Sequence, residues 1–313
     1  MSKGTGLHQF YNKRWVYFTI SIAIMVIGII FTFVKGVQLD IQFKGGALLK
    51  YTYEGELNEK SAEDKASELL GRPVTTQLTS DLASDEKKLV INIAGNYGVE
   101  ASEQQKFDDS LKEAFPDNNL KLSESSMVEP FFGQKFLTNG IIALVLASTL
   151  VMCYVWMRFR KIGGLSAGVM AIIALVHDVM VVFFTCVIFG IPIGESFVAV
   201  ALSIIGYSIN DTIVIYDRIR ENSRTYTKLP VDQLTDLSIS QCMMRSVMTS
   251  FAVFISVTSV YVLAFAHDIE SIQSFALPMA IGTISGCYST ICIAGPLWVS
   301  WKKHKAKLKT SAA

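Results

Sequence analysis

The sequence has no excess of either charge. Lys and Arg number 28 against 27 Asp and Glu, a formal net charge of +1. Such a balance argues against a nucleic-acid partner, which a basic face would announce. Cysteine is sparse and unpatterned: Cys153, Cys186, Cys242, Cys287 and Cys292 all lie in or beside apolar blocks. With no CxxC and no Cys/His zinc spacing, they read as small apolar residues, not staples or ligands, so no metal is expected. GxxxxGK[ST], HExxH and a nucleophile elbow are also missing, which excludes the usual phosphate-binding, zinc-hydrolase and serine-hydrolase chemistries. The expectation is a protein that is not an enzyme and needs no cofactor. Any work it does draws on a gradient or on a partner.

What the chain does have is long apolar runs. Residues 15–34 form the first, too long for a signal-peptide core and without a convincing cleavage site, so it reads as an uncleaved first transmembrane helix. Trp15 and Tyr17 suit the membrane interface. Five more spans follow at 136–156, 165–189, 197–216, 247–266 and 274–301, the last interrupted by Pro278 and Pro296. Lys3, Lys13 and Arg14 precede the first span. Arg158, Arg160 and Lys161 separate the second and third. Arg218, Arg220, Arg224 and Lys228 separate the fourth and fifth, and a Lys-rich tail occupies 302–313. The linkers 190–195 and 267–270 have no Lys or Arg. The positive-inside rule then puts residues 1–14, the basic linkers and the tail in the cytoplasm. The tail suits an anionic lipid surface.

Residues 35–135 are of another kind. From 36 to 135 there are 18 Asp/Glu and 11 Lys/Arg, a net of −7. Strands are expected at 47–53, 74–82, 88–94 and 120–128, and helices at 61–70 and 102–115. The order β-α-β-β-α-β is that of a ferredoxin-like domain, expected on the extracytoplasmic side. The fold class is thus a polytopic α-helical membrane protein with a small α+β domain between helices 1 and 2. Residues 136–301 form its five-helix remainder.

Polar groups inside apolar spans are costly and point to function. Asp211, beside Asn210, lies about two turns inside the fourth span. Its insertion cost is roughly 2.5–3.5 kcal/mol, so it must be paired, protonated or wet. Ser208, Asn210 and Thr212 are its expected hydrogen-bond neighbours. His177-Asp178 lies about half-way along the third span, and Arg245 opens the fifth. An Asp alternating between a dry site and an Arg-paired site takes up and releases a proton, so Asp211, Arg245, Asn210, His177 and Asp178 form a candidate ion pathway. The bland readings are that Asp211 and His177-Asp178 only join helices and that Arg245 snorkels to headgroups. Gly282 and Gly286 form a GxxxG packing signal.

Several segments carry a resemblance. Residues 39–46, LDIQFKGG, resemble the signature after the first span of SecD/SecF protein-export proteins, with Asp40, Gly45 and Gly46 as its fixed points. Residues 206–222, GYSINDTIVIYDRIREN, beginning at Gly206, look like the most characteristic segment of the SecF branch. His177-Asp178, Arg245-Ser246 with Thr249-Ser250, and the stretch Gly282 to Leu297 match in order and spacing. The resemblance implies an RND-type six-helix half and a bacterial cytoplasmic membrane location. The partners it implies are SecD, the SecYEG channel with SecA, membrane lipids and translocating polypeptides. It also implies use of the proton-motive force through Asp211 and Arg245, and helix packing at Gly206. The competing readings are half of a small-molecule efflux transporter and a passive membrane scaffold.

Overall fold

The computed structural model describes residues 9–40, 43, 46–71, 74–81, 86–94, 101–128, 130–267 and 269–311. Helix α1 (Arg14–Lys35) leads into strand β1 (Gly46–Tyr53). Then come α2 (Glu59–Leu70), β2 (Val74–Asp81), β3 (Glu86–Ala94), α3 (Ala101–Ala114) and β4 (Lys121–Val128). The expected β-α-β-β-α-β order is present. Helix α2 starts where the Asn58 side chain accepts from the Lys60 and Ser61 N–H groups, at 3.0 and 3.3 Å. It stops at Gly71, whose left-handed backbone (φ 62°) suits glycine.

The four strands form one antiparallel sheet in the order β2-β3-β1-β4. Alternate residues of β1 and β3 (Ala47, Leu49, Tyr51; Leu89, Ile91, Ile93) face one way and are buried under Ala62, Ala66, Phe107 and Leu111 of the two helices. Tyr51 is fully buried, with its hydroxyl beside the Asp108 carboxylate. Burial first, then Asp108, raises its ionisation well above the ordinary tyrosine value. An unfolded tyrosine loses its proton near pH 10, whereas folded Tyr51 keeps it. Its contribution to stability is therefore complete below about pH 10 and declines as pH rises above that. Thermal unfolding by circular dichroism from about pH 9 to 11 should show Tyr51→Phe losing less stability than wild type. Equal losses would rule this out.

The other helices are α4 (Pro130–Arg158), α5 (Gly164–Phe189), α6 (Glu195–Thr225), α7 (Val231–Ala266), α8 (Glu270–Ser289) and α9 (Gly295–Ser311). Among the described residues six helices are long and apolar enough to cross a membrane, α8 and α9 forming one such span through a π turn at Thr290–Ala294. Pro278 does not interrupt this span, because it sits inside unbroken α8. The irregular turn instead precedes Pro296, whose ring cannot donate a helical hydrogen bond. Helix α7 begins at Val231, well before the expected apolar start at 247. Its extra turns bury Leu234, Ile239 and Cys242 on one face against the bundle.

Helices α5, α6 and α8 form the centre, with α1, α4 and α7 around them. A Cβ at Gly28 would run into the ring of Phe184, so α1 seats on α5 only because residue 28 has no side chain. Gly28→Val should overpack that seam by about 1–3 kcal/mol and lower the melting temperature in detergent. At one end of the bundle the basic segments are tied together. Tyr11 N–H donates to Asp236 at 3.0 Å, Lys303 pairs with Asp232 at 2.8 Å, and Arg158 pairs with Asp217 at 3.2 Å. The connection from α1 to the sheet leaves from the opposite end of α1.

Candidate functional site

Two carboxylates are buried among the central helices, in very different surroundings. Asp178 of α5 is fully buried and saturated. Oδ2 accepts from Ser208 Oγ of α6 at 2.8 Å and from Ser289 Oγ of α8 at 2.6 Å. Oδ1 accepts from Ser285 Oγ of α8 at 2.7 Å and faces His177 Nδ1 at 3.2 Å. A carboxylate offers about four lone-pair sites, and here each has a neighbour. Asp178 therefore joins α5, α6 and α8. His177 adds its ring beside Tyr288, with centroids 6.2 Å apart, and its Nε2 has no hydrogen-bond partner among the described residues. The Tyr288 hydroxyl in turn donates to the Tyr17 carbonyl at 2.7 Å, which brings α1 to the same layer.

This convergence has a steric basis. A Cβ at Gly282 would lie 2.8 Å from Ile204 and Val182, and one at Gly286 would lie 3.3 Å from Ser208 Cβ. The GxxxG pair thus lets α8 approach α6 and α5 closely enough for Ser285 and Ser289 to reach Asp178. Gly206 is different: it is exposed, and a Cβ there would meet nothing within 4 Å. Its expected packing role is therefore not found within this chain.

Asp211 of α6 is 4% exposed, and its Oδ2 has no hydrogen-bond partner among the described residues. The three expected neighbours do not serve it. Ser208 is drawn to Asp178, and the Thr212 hydroxyl reaches the Ser208 carbonyl at 3.1 Å and the Thr290 hydroxyl at 3.2 Å. Asn210 is exposed, one position and about 100° around the helix from Asp211. The groups that act on Asp211 come from α7 instead, namely the Ser246 hydroxyl and the Arg245 guanidinium. Ser246 is buried, and its hydroxyl also has no hydrogen-bond partner among the described residues. Arg245 is exposed and forms no ion pair within 4.0 Å among the described residues. The carboxylate expected to alternate between a dry and an Arg-paired state is thus an electrostatic neighbour of Arg245 with no ion pair to it within 4.0 Å. An unpartnered carboxylate oxygen in a buried place is expensive to keep, and either a proton or a closer cation removes that cost.

Asp40 lies on the connection from α1 to β1 and Gly46 opens β1, while Gly45 falls outside the described residues. Ser285, Ser289 and Ser246 are site residues that the sequence does not mark as such, Ser246 entering only as part of the Arg245-Ser246 motif. The signal for two of them was available in principle, since Ser285 and Ser289 stand four apart, on one face of the apolar half of α8.

Residues 106–304 match the family model described as protein export membrane protein SecD/SecF, C-terminal. The chain is 30% identical to a protein translocase subunit SecF of Petrotoga mobilis, over 96% of this chain and 97% of that protein. It is 31% identical to a protein translocase subunit SecDF of Bacillus subtilis, over 96% of this chain but 39% of that longer protein. It also resembles the crystal structure of SecDF, a translocon-associated membrane protein, from Thermus. That match has a TM-score of 0.79 and 25% identity, over 97% of this chain and 40% of that one.

Proposed function

The chain belongs to the SecD/SecF family of protein-export membrane proteins as an accessory subunit of the Sec translocase, and from that premise we propose that Asp211 couples it to the proton-motive force. The observation that carries this is the buried Oδ2 of Asp211, without a hydrogen-bond partner among the described residues and beside Ser246 and Arg245. Protonated, the carboxyl is a neutral group that the apolar site tolerates. Deprotonated, it draws the exposed Arg245 inward, and α7 moves relative to α6. Asp178 and His177 hold α5, α6 and α8 as a fixed unit against which that movement takes place.

The chain carries one half of the apparatus, and its partner in this reading is SecD. The SecDF relatives, in which this chain accounts for about two fifths, support that pairing. The surface supports it as well. Ala199, Ser203, Gly206 and Asn210 on α6, and Arg245, Thr249, Ala252, Ser256 and Ser259 on α7, are all exposed. Their 4-3-4 and 4-3-4-3 spacings make two small, polar stripes inside membrane spans, a surface suited to another helix rather than to lipid. We place the ferredoxin-like domain of residues 35–135 outside the cytoplasmic membrane and both termini inside. SecYEG, SecA and the emerging polypeptide are the further partners of this reading.

The test is depletion in cells followed by complementation. Signal-bearing precursors should accumulate, drug tolerance should stay unchanged, and the chain should co-purify with SecD. Normal precursor processing with lost drug tolerance would favour the efflux reading instead.

A further inference from the structure

The link between α1 and β1 does not hang free. Leu39 and Ile193 form a parallel β-bridge, with Asp40 N–H donating to the Ile193 carbonyl at 3.0 Å and Ile193 N–H donating to the Gln38 carbonyl at 2.8 Å. Phe43 N–H then donates to the Asp40 carbonyl at 2.9 Å. This turns the Phe43 side chain into a buried apolar cluster with Cys186, Ile193 and Phe197. Ile193 belongs to the short loop joining α5 to α6, the helices of Asp178 and Asp211. The Lys35 ammonium donates to the Ile188 carbonyl at 2.6 Å, a further tie between the end of α1 and α5.

Gly194, which precedes α6, makes the close approach possible. Its backbone is extended (φ −139°), so conformation does not require glycine there. Space does. A Cβ at residue 194 would lie 2.8 Å from Asp40 Cβ and 3.1 Å from Asp40 Cγ and Oδ2. At the other connection, α4 rests on the same helix, where a Cβ at Gly140 would lie 3.0 Å from Val198 of α6. The chain thus enters the sheet domain bonded to the loop that heads α6, and α4, which follows the domain, packs at Gly140 against the first turn of α6.

We propose that the junction of residues 38–40 with Ile193-Gly194 is a rigid coupling that makes the sheet domain ride with α5 and α6 as α7 shifts against them, with Asp40 and Gly194 as its positioning residues. The proposal rests on the ion-driven reading given above. Backbone hydrogen bonds transmit displacement without a rotamer change, and a buried apolar cluster beside them resists shear. A side chain at 194 separates the strands and uncouples the domain from the helices, while both carboxylate sites stay as they are.

The test uses the protein with its SecD partner in proteoliposomes, with the native cysteines replaced. Spin labels at Asp64 on α2 and His267 at the end of α7, both exposed, report the distance between the sheet domain and α7. An imposed pH gradient should shift that distance in the wild type and not in Gly194→Val, whose export should fall to the level of Asp211→Asn. A second variant, Leu39→Cys with Ile193→Cys, locks the junction closed when oxidised and should keep both the shift and export. A wild-type-sized shift in Gly194→Val, or loss of export on locking, overturns the coupling. No shift in the wild type overturns the ion-driven reading beneath it.

Discussion

Asp211→Asn should leave precursor export at the level of cells lacking the protein, while insertion, abundance and association with SecD remain as in wild type. Asn is nearly isosteric with Asp, so packing in the buried site is preserved. It cannot bind and release a proton, and it cannot draw Arg245 inward by charge. Because Oδ2 has no partner to lose among the described residues, the structural penalty is small. That separates this residue from one whose removal simply unfolds the bundle. Asp211→Glu should retain part of the activity with a changed dependence on the imposed pH gradient. Arg245→Gln should resemble Asp211→Asn, since Arg245 is exposed and carries no structural ion pair among the described residues. Export rates in inverted vesicles at several gradients would check the series. Full activity of Asp211→Asn at every gradient would reduce the protein to a scaffold.

The span count and the strand and helix order of the sheet domain could be read from the sequence, because both rest on local periodicity. Each apolar run is long enough to declare itself, and β1 and β3 alternate with period two. Pairings between helices were harder. Ser208 stands three residues before Asp211, close enough on the same helix to suggest a bond, yet its hydroxyl turns to Asp178 on another helix. No spacing within one segment reveals that choice, since it depends on how closely Gly282 and Gly286 let α8 approach. The early start of α7 was missed for a related reason. Residues 231–246 are too polar to read as membrane-spanning, and their buried face shows only when Leu234, Ile239 and Cys242 are placed on a helical period. The motif around Asp40 was recognised as a pattern, but its docking on Ile193 lies between segments about 150 residues apart and leaves no trace in either alone.

Asp178 gives the opposite expectation to Asp211, and the contrast tests the division of labour between the two carboxylates. Asp178→Ala strands the Ser208 and Ser285 hydroxyls in a buried layer, leaves Ser289 only the Gly286 carbonyl at 3.2 Å, and opens a gap between α5, α6 and α8. Each unsatisfied buried donor costs roughly 1–3 kcal/mol, though in membrane helices such hydroxyls often find other acceptors. A net loss on the order of 3 kcal/mol is expected, enough to lower the melting temperature clearly and to reduce the amount of assembled protein. The serines should be coupled to it. Ser285→Ala and Ser289→Ala should each cost less in an Asp178→Ala background than in wild type, a coupling of about 0.5–3 kcal/mol in a double-mutant cycle. Asp178→Asn, which keeps one acceptor oxygen and lets the serine hydroxyls turn to accept from its amide, should recover much of the stability and, with it, export. If Asp178→Asn is instead stable and assembled yet inactive at every gradient, Asp178 joins Asp211 in moving protons, and the fixed unit that the moving helix works against must lie elsewhere.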